Sequence, residues 1–340
     1  MGIKLNQFKY RIIDVSQYQG KIDWVKLASR CEGVVIRIGY GNTIDPRFIE
    51  NITQAARIAG LDIYVYFYSD YYSNWYFKGT AAFGMSDAEW GLKQANNCWE
   101  WMQPWASRIK AVFLDIEPLM GAKPEDLKAL NLHNEQPSIH ANRINRTFLE
   151  RLDILKIKNG IYASLGWLSW FWSWFRDRML WVAWYPFRSA DVDADDVIYM
   201  CKKNGWIIPP SLWQFAQDGD QDDDGDSDGI TWFGTQSSDL DMSGWIGTDA
   251  QYIELSGRNS VIVPTPEPEE PENAPGHYRI TAQPYLFIRA NPIADVTSKK
   301  LGQYYPGTEV FVSLVNGDWG MVANQNHFIY LGFAEKILTD

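Results

Sequence analysis

The sequence predicts an α/β protein, a (β/α) barrel followed by a small all-β barrel, and three observations carry that expectation. From Arg11 to Phe215, apolar strand-like runs alternate with helix-like stretches, the order of a parallel sheet with crossover helices. An acidic, Pro-rich segment (263–276) then interrupts the pattern. Beyond it, short β-rich pieces follow one another at close spacing, separated by turn residues.

Taken in order, Arg11 to Val15 reads as a strand and Ile22 to Cys31 as a helix with Asp23 as its cap. Gly33 to Ile38 is a strand, and Arg47 to Ala59 a helix stopped by Gly60. Leu61 to Tyr68 (strand), Ala88 to Trp105 (helix), Ala111 to Glu117 (strand) and Ile139 to Leu155 (helix) continue the alternation. Gly160 to Ser164 is a strand, Trp167 to Arg176 a helix with aromatic residues at helical spacing, and Leu180 to Trp184 and Leu212 to Phe215 are the last strands. Seven or eight such strands suit a barrel whose reactive groups sit at the C-terminal strand ends. The segment 263–276 has five prolines and four glutamates, so it reads as an extended, self-repelling spacer. Downstream, Tyr278–Thr281, Leu286–Arg289, Glu309–Leu314, Trp319–Val322 and Phe328–Leu331 are the pieces of the small barrel. The expected domains are therefore 1–262, a linker 263–276, and 277–340.

Composition excludes several classes. The net charge of −11 is concentrated, with seven aspartates in 218–228 and four glutamates in the spacer, and no basic stripe suits a nucleic acid. No run reaches the roughly 20 apolar residues of a membrane span, so no membrane insertion is expected, and the N-terminus lacks the apolar run of a signal peptide. Cys31, Cys98 and Cys201 have no metal-binding spacing and read as free buried thiols of a reducing compartment. Four histidines leave little for a His-rich metal site, and no serine sits in a nucleophile elbow.

Carboxylates remain. Asp115 and Glu117 end the apolar run Ala111-Val112-Phe113-Leu114 and, two residues apart on a strand, point the same way. Such spacing also occurs on the wet face of an edge strand, but a continuously apolar run suits a strand covered on both faces. Two buried acids side by side are costly, and paired carboxylates are the working groups of most glycoside hydrolases. Asp14 holds the matching position at the end of the first strand.

The segment Asp14-Val15-Ser16-Gln17-Tyr18-Gln19-Gly20-Lys21-Ile22-Asp23-Trp24 resembles the opening signature of glycoside hydrolase family 25, the muramidases of bacterial cell walls. The resemblance continues in order through Val34-Val35-Ile36-Arg37, Ala59-Gly60-Leu61, Phe113-Leu114-Asp115-Ile116-Glu117, Gly160-Ile161-Tyr162, Leu180 to Tyr185, Leu212-Trp213-Gln214-Phe215 and Ser238-Asp239-Leu240-Asp241. It implies an irregular (β/α) TIM-like barrel that cleaves the β-1,4 bond after N-acetylmuramic acid. It implies Glu117 as proton donor, Asp115 as the acid beside it, Asp14 and Asp239 as two further acids, and Tyr66, Trp184, Tyr185 and Gln214 along the sugar groove. Asp239 is preferred over Asp241, where the family commonly has Asn, because it holds the first position of its motif. Like charges and burial would keep Glu117 protonated and Asp115 ionised, to stabilise an oxocarbenium-like charge or orient the substrate's own 2-acetamido group as nucleophile. The substrate-assisted route is preferred.

Leu286-Phe287-Ile288-Arg289, Asn291-Pro292, Leu301-Gly302, Pro306-Gly307-Thr308-Glu309-Val310 and Gly317-Asp318-Trp319 resemble a bacterial SH3-like wall-binding module. The implied whole is a phage endolysin: a peptidoglycan hydrolase made in the host cytoplasm that meets the wall when the inner membrane opens. Alternatives are a non-catalytic wall-binding phage protein and a glucosaminidase or chitinase-like hydrolase. No cofactor is expected for catalysis. Asp220, Asp222, Asp224, Asp226 and Asp228 follow the start of a calcium loop without its closing glutamate, so a structural Ca²⁺ competes with a solvated acidic insertion.

Overall fold

Strand β1 (Arg11–Val15) is paired on both sides, in parallel with β2 (Gly33–Tyr40) and antiparallel with β9 (Asp241–Trp245). That double pairing closes a ring. Between them run β4 (Asp62–Tyr68), β5 (Ile109–Asp115), β6 (Asn159–Ser164), β7 (Met179–Ala183) and β8 (Leu212–Ala216), while β3 (Thr43–Ile44) forms a hairpin with β2 outside the ring. The computed structural model describes residues 3–74, 79–117, 137–186, 192–216, 229–258, 275–290, 299–316, 319–323 and 327–337. By its contacts the chain divides into Met1–Asn259 and Ser260–Asp340.

Seven of the eight barrel strands run parallel, as the alternation predicts. The closing strand β9 does not; it is antiparallel to both β1 and β8. An antiparallel neighbour needs no crossover helix, and the outer side of β9 is covered instead by the N-terminal segment. Phe8 stacks on Phe215 at 5.1 Å, and a Cβ on Gly244 would lie 2.0 Å from the Phe8 ring. Helices α1 (Trp24–Ala28), α2 (Phe48–Ala56), α3 (Asp87–Met102) and α4 (Pro137–Ile154) follow their expected positions. Asp23 caps α1 by accepting from the Lys26 N–H at 3.0 Å. Helices α5 (Ala194–Lys203) and α6 (Asp249–Ser256) were not anticipated.

The expected helix from Trp167 to Arg176 is instead two 3₁₀ turns, Leu165–Trp170 and Ser173–Phe175. Asn142 of α4 accounts for the break: its side-chain amide donates to the Trp170 carbonyl at 3.0 Å and its oxygen accepts from the Trp172 N–H at 3.0 Å. One side chain thus takes both backbone groups a continuing helix would have paired. Phe171 and Phe175 are buried as core residues, as their spacing suggested.

Alternation along each strand builds two separate cores. Val34, Ile36, Ile63, Val65, Val112, Leu114, Ile161 and Val182 face outward to the helices. Ile12, Val35, Tyr64, Phe113, Tyr162, Trp181 and Trp245 fill the barrel interior. Each large side chain so buried contributes about 1.5 to 3 kcal/mol. Interior packing ends one layer below the C-terminal strand ends, where inward positions become polar.

The second unit is a seven-stranded antiparallel sheet of order β12-β11-β15-β14-β13-β10-β16: β10 (Gly276–Ile280), β11 (Leu286–Arg289), β12 (Lys300–Tyr304), β13 (Glu309–Asn316), β14 (Trp319–Val322), β15 (His327–Tyr330) and β16 (Ala334–Ile337). Tyr278, Ile280, Val312, Ile329 and Leu331 form its core. A groove of about 320 Å³ is lined by Tyr285, Phe287, Arg289, Trp319, Tyr330 and Phe333, among others.

Candidate active site

The polar layer at the barrel mouth is assembled by register. Two residues beyond the interior Ile12 stands Asp14; two beyond Val35, Arg37; two beyond Tyr64, Tyr66; two beyond Phe113, Asp115. Antiparallel β9 enters from above, and its first residue, Asp241, lies directly opposite Asp14. Glu117 follows the end of β5. The Ile116 N–H donates to the Tyr162 carbonyl at 2.9 Å, so the chain stays beside β6 and Glu117 meets the Tyr162 hydroxyl. The Tyr71 hydroxyl fixes the Glu117 carbonyl at 2.6 Å.

One hydrogen-bonded chain crosses the mouth. Asp241 bonds Asp14, which requires a proton between the two carboxyl groups. Gln214 donates from Nε2 to Asp14 Oδ2 at 2.9 Å, and its Oε1 accepts from the Tyr162 hydroxyl at 2.6 Å and from Tyr185. Tyr162 in turn contacts Glu117. The Tyr162 hydroxyl therefore has one proton for two acceptors, Gln214 Oε1 and the Glu117 carboxylate.

Electrostatics follow from burial and crowding. Burial pushes the Asp14 carboxyl well above the usual carboxylate range, and Asp241 and Glu117 add to it. Burial does the same to Asp115, reinforced by Glu117, Asp14 and Asp241 and opposed by Arg37. Glu117 is raised by burial too, with the Tyr162 hydrogen bond pulling back. These acids titrate as a set. A carboxyl raised toward the proton-bearing form, beside another that can ionise, is the pairing general acid catalysis needs. The expectation that Asp115 simply stays ionised is incomplete, because its own burial favours the neutral form.

Two anticipated residues are not brought here. Asp239 is exposed: the chain bends at Gln236–Ser238 before β9 begins, and Asp239 forms hydrogen bonds with Ser237, Ser238 and, through its carbonyl, Gln19. Asp241 takes the inward place instead. Trp184 faces the other way, packing on the outer sheet–helix core, while its backbone carbonyl accepts from the Trp213 indole at 2.8 Å. Tyr66, Tyr185, Gln214, Asp14, Asp115 and Glu117 do meet. Tyr162 and Arg37 went unassigned, although both lie inside matched motifs. An arginine in the otherwise apolar β2 was the visible signal.

Residues 13–224 match the sequence pattern described as glycosyl hydrolases family 25. The chain belongs to that family. It is a glycoside hydrolase. Among solved structures, a family 25 glycosyl hydrolase from Bacillus anthracis shares its fold, with 14% identity over 75% of this chain and 97% of that one, at a TM-score of 0.51. The bacterial lysozyme of Streptomyces coelicolor is 20% identical over 73% of this chain and 97% of its own, at 0.47. The modular autolysin LytC from Streptococcus pneumoniae is 17% identical over 69% of this chain, which spans 46% of LytC, at 0.49. No curated protein matches. The acids gather at the C-terminal ends of the parallel strands, the end at which barrel enzymes of this architecture carry their reactive groups.

For this glycoside hydrolase, no group of three or more His, Cys, Asp or Glu is arranged to hold a metal among the described residues. Asp220, Asp222, Asp224, Asp226 and Asp228 lie outside the described residues, as does most of the 263–276 spacer. Cys31, Cys98 and Cys201 are free and buried. No helix among the described residues is long and apolar enough to cross a membrane.

Proposed function

We propose that the protein is a peptidoglycan hydrolase of the N-acetylmuramidase type, cleaving the β-1,4 bond between N-acetylmuramic acid and N-acetylglucosamine. The observation that carries this reading is the convergence of Asp14, Asp115, Glu117 and Asp241 on one hydrogen-bonded mouth. Glu117, raised and within reach of Tyr162, gives its proton to the glycosidic oxygen as the bond to the anomeric carbon breaks. The substrate's 2-acetamido oxygen attacks that carbon from the opposite face, and Asp115 stabilises the positive charge that develops. Water, deprotonated by Glu117, then opens the cyclic intermediate and restores the acid. Asp14 and Asp241, sharing a proton and tied to Gln214, hold the mouth in shape. Tyr66 and Tyr185 line the sugar groove, Tyr185 being 44% exposed and so free to meet a ring.

The C-terminal unit is a wall-binding module, and its aromatic groove is the surface that would hold wall peptide or polymer. Such a module raises the concentration of the barrel at its substrate. With the Pro-rich spacer, the arrangement fits a phage endolysin that acts when the host membrane opens.

Purified peptidoglycan digested by the wild type and by Glu117→Gln tests the reading. Muramic acid at the new reducing ends, and a loss of about 10² to 10⁴ in rate for the variant, is the expected result. Glucosamine ends would make the enzyme a glucosaminidase. Equal rates would remove Glu117 from its role.

A further inference from the structure

Asp115 poses a problem the described hydrogen bonds do not solve. Its Oδ1 is buried and has no hydrogen-bond partner. An ionised carboxylate in that state bears the full cost of desolvation. The charged groups facing it make matters worse, for Glu117, Asp14 and Asp241 are all acids. Tyr66, Tyr68 and Tyr162 also face these acids and are held neutral by burial. If Asp115 is to act as an anion, a cation must answer it.

In the same inward layer of the barrel mouth, two strands away through β4, stands a cation that opposes this crowding, Arg37. Arg37 stands on the inward side of β2, directly opposite Tyr66 on β4. Its Nε donates to Asp45 Oδ2 at 2.7 Å, and the Asp45 side chain is fully buried. Asp45 is itself fixed, accepting from the Gln17 N–H at 3.1 Å and the Arg47 N–H at 2.9 Å. Because Asp45 takes the Nε edge, no described side chain or carbonyl engages the two terminal nitrogens. The Tyr18 ring, 69% exposed, covers the guanidinium at 4.9 Å and shields it from water. The brace fixes the cation without placing a counter-charge on its far side.

We propose that Arg37, braced by Asp45 and roofed by Tyr18, is a positioning residue that favours the Asp115 anion and so sets the acid limit of the enzyme's working range. Resting on the assignment of Asp115 and Glu117 above, the role is electrostatic and does not need Arg37 to touch substrate. The direction follows from the charges. Without Arg37, desolvation and three acidic neighbours act on Asp115 unopposed, so it takes up a proton at higher pH.

The test is kcat/KM against pH on solubilised peptidoglycan for wild type, Arg37→Met, Arg37→Lys and Glu117→Gln. Arg37→Met should move the acid limb upward, so that its activity relative to wild type is about tenfold lower at pH 5 than at pH 7. Arg37→Lys, which keeps the charge, should leave the limb near the wild-type position. A fall of Arg37→Met that is equal at every pH, or a lysine variant displaced as far as methionine, would overturn the proposal and leave the ion pair with Asp45 a structural tie. If Arg37→Met does not fold, Asp45→Asn tests the same point with opposite sign. It removes the counter-charge and should move the acid limb downward; an unmoved or raised limb would overturn the proposal. An active Glu117→Gln would signal failure of the underlying assignment instead, since the proposal alone leaves that variant dead.

Discussion

The barrel buries an aspartate at each end, and the two are treated in opposite ways. At the floor, Asp62 begins β4 and its Oδ2 is held twice. The Tyr252 hydroxyl donates to its Oδ2 at 2.6 Å and the Arg258 Nε at 2.8 Å, while Arg258 also reaches the carbonyls of Glu32 and Gly60. Tyr252 comes from α6, stacks on Tyr10 at 3.6 Å and plugs the interior from below. At the mouth, Asp115 ends β5 with an orphaned oxygen among three other acids. The fold therefore supplies partners for a buried carboxylate at the floor and withholds one at the mouth. Strain of that kind is expected where groups are kept ready for a substrate that completes their environment.

Substituting each aspartate should separate the two purposes. Asp115→Asn is expected to lower turnover by about 10² to 10³ while raising the melting temperature near pH 7 by roughly 3 °C. The sign follows from burial: the folded carboxyl is raised above its unfolded value, so wild type loses stability as pH rises from the ordinary carboxylate range toward neutral. Asparagine does not ionise, so its advantage should disappear as pH falls back through that range. Thermal melts between pH 3 and 8 check it, and a variant destabilised at pH 7 would end the comparison.

Asp62→Asn is the reciprocal change. Loss of charge-assisted bonds to Tyr252 and Arg258 should cost about 2 kcal/mol, with turnover of the folded enzyme at 25 °C within twofold of wild type. A turnover loss matching that of Asp115→Asn would mean the floor and the mouth are coupled through the interior core they share.

The floor and the mouth were also unequally legible in the sequence. Ala111 to Glu117 drew notice because two acids at the end of an apolar run have few explanations, and the structure places both at the barrel mouth. Helix α6 and Tyr252 were missed because α6 carries little apolar periodicity; it works as a plug held by one stacked ring and a few polar bonds. Asp241 was passed over for Asp239 because a motif gives order but not the residue at which a strand starts, and here two positions decide which acid enters the barrel. The 3₁₀ break after Trp170 depends on Asn142, nearly thirty residues earlier in the chain, a contact no local pattern encodes. Antiparallel closure by β9 was hidden for the same reason, since strand direction is a property of the pairing.

The finest distinction between the two ends concerns hydroxyls. At the floor, the Tyr252 hydroxyl donates to Asp62, whereas Tyr162 at the mouth stands between Gln214 and Glu117 with one proton for two acceptors. Tyr162→Phe keeps the ring against Trp181, 4.4 Å away, and Tyr185 still serves Gln214, so the fold should hold. What changes is Glu117, whose ionised form loses a donor. The Tyr162 bond pulls the Glu117 carboxyl down, so its removal lets the carboxyl rise and the acid stays protonated to higher pH. The alkaline limb of activity should move upward, giving the variant a ratio of activity at pH 8 to that at pH 6 about threefold above wild type. A limb that stays in place would assign the Tyr162 proton to Gln214 throughout, and a limb that moves down would mean the hydroxyl steadies the neutral acid rather than the anion.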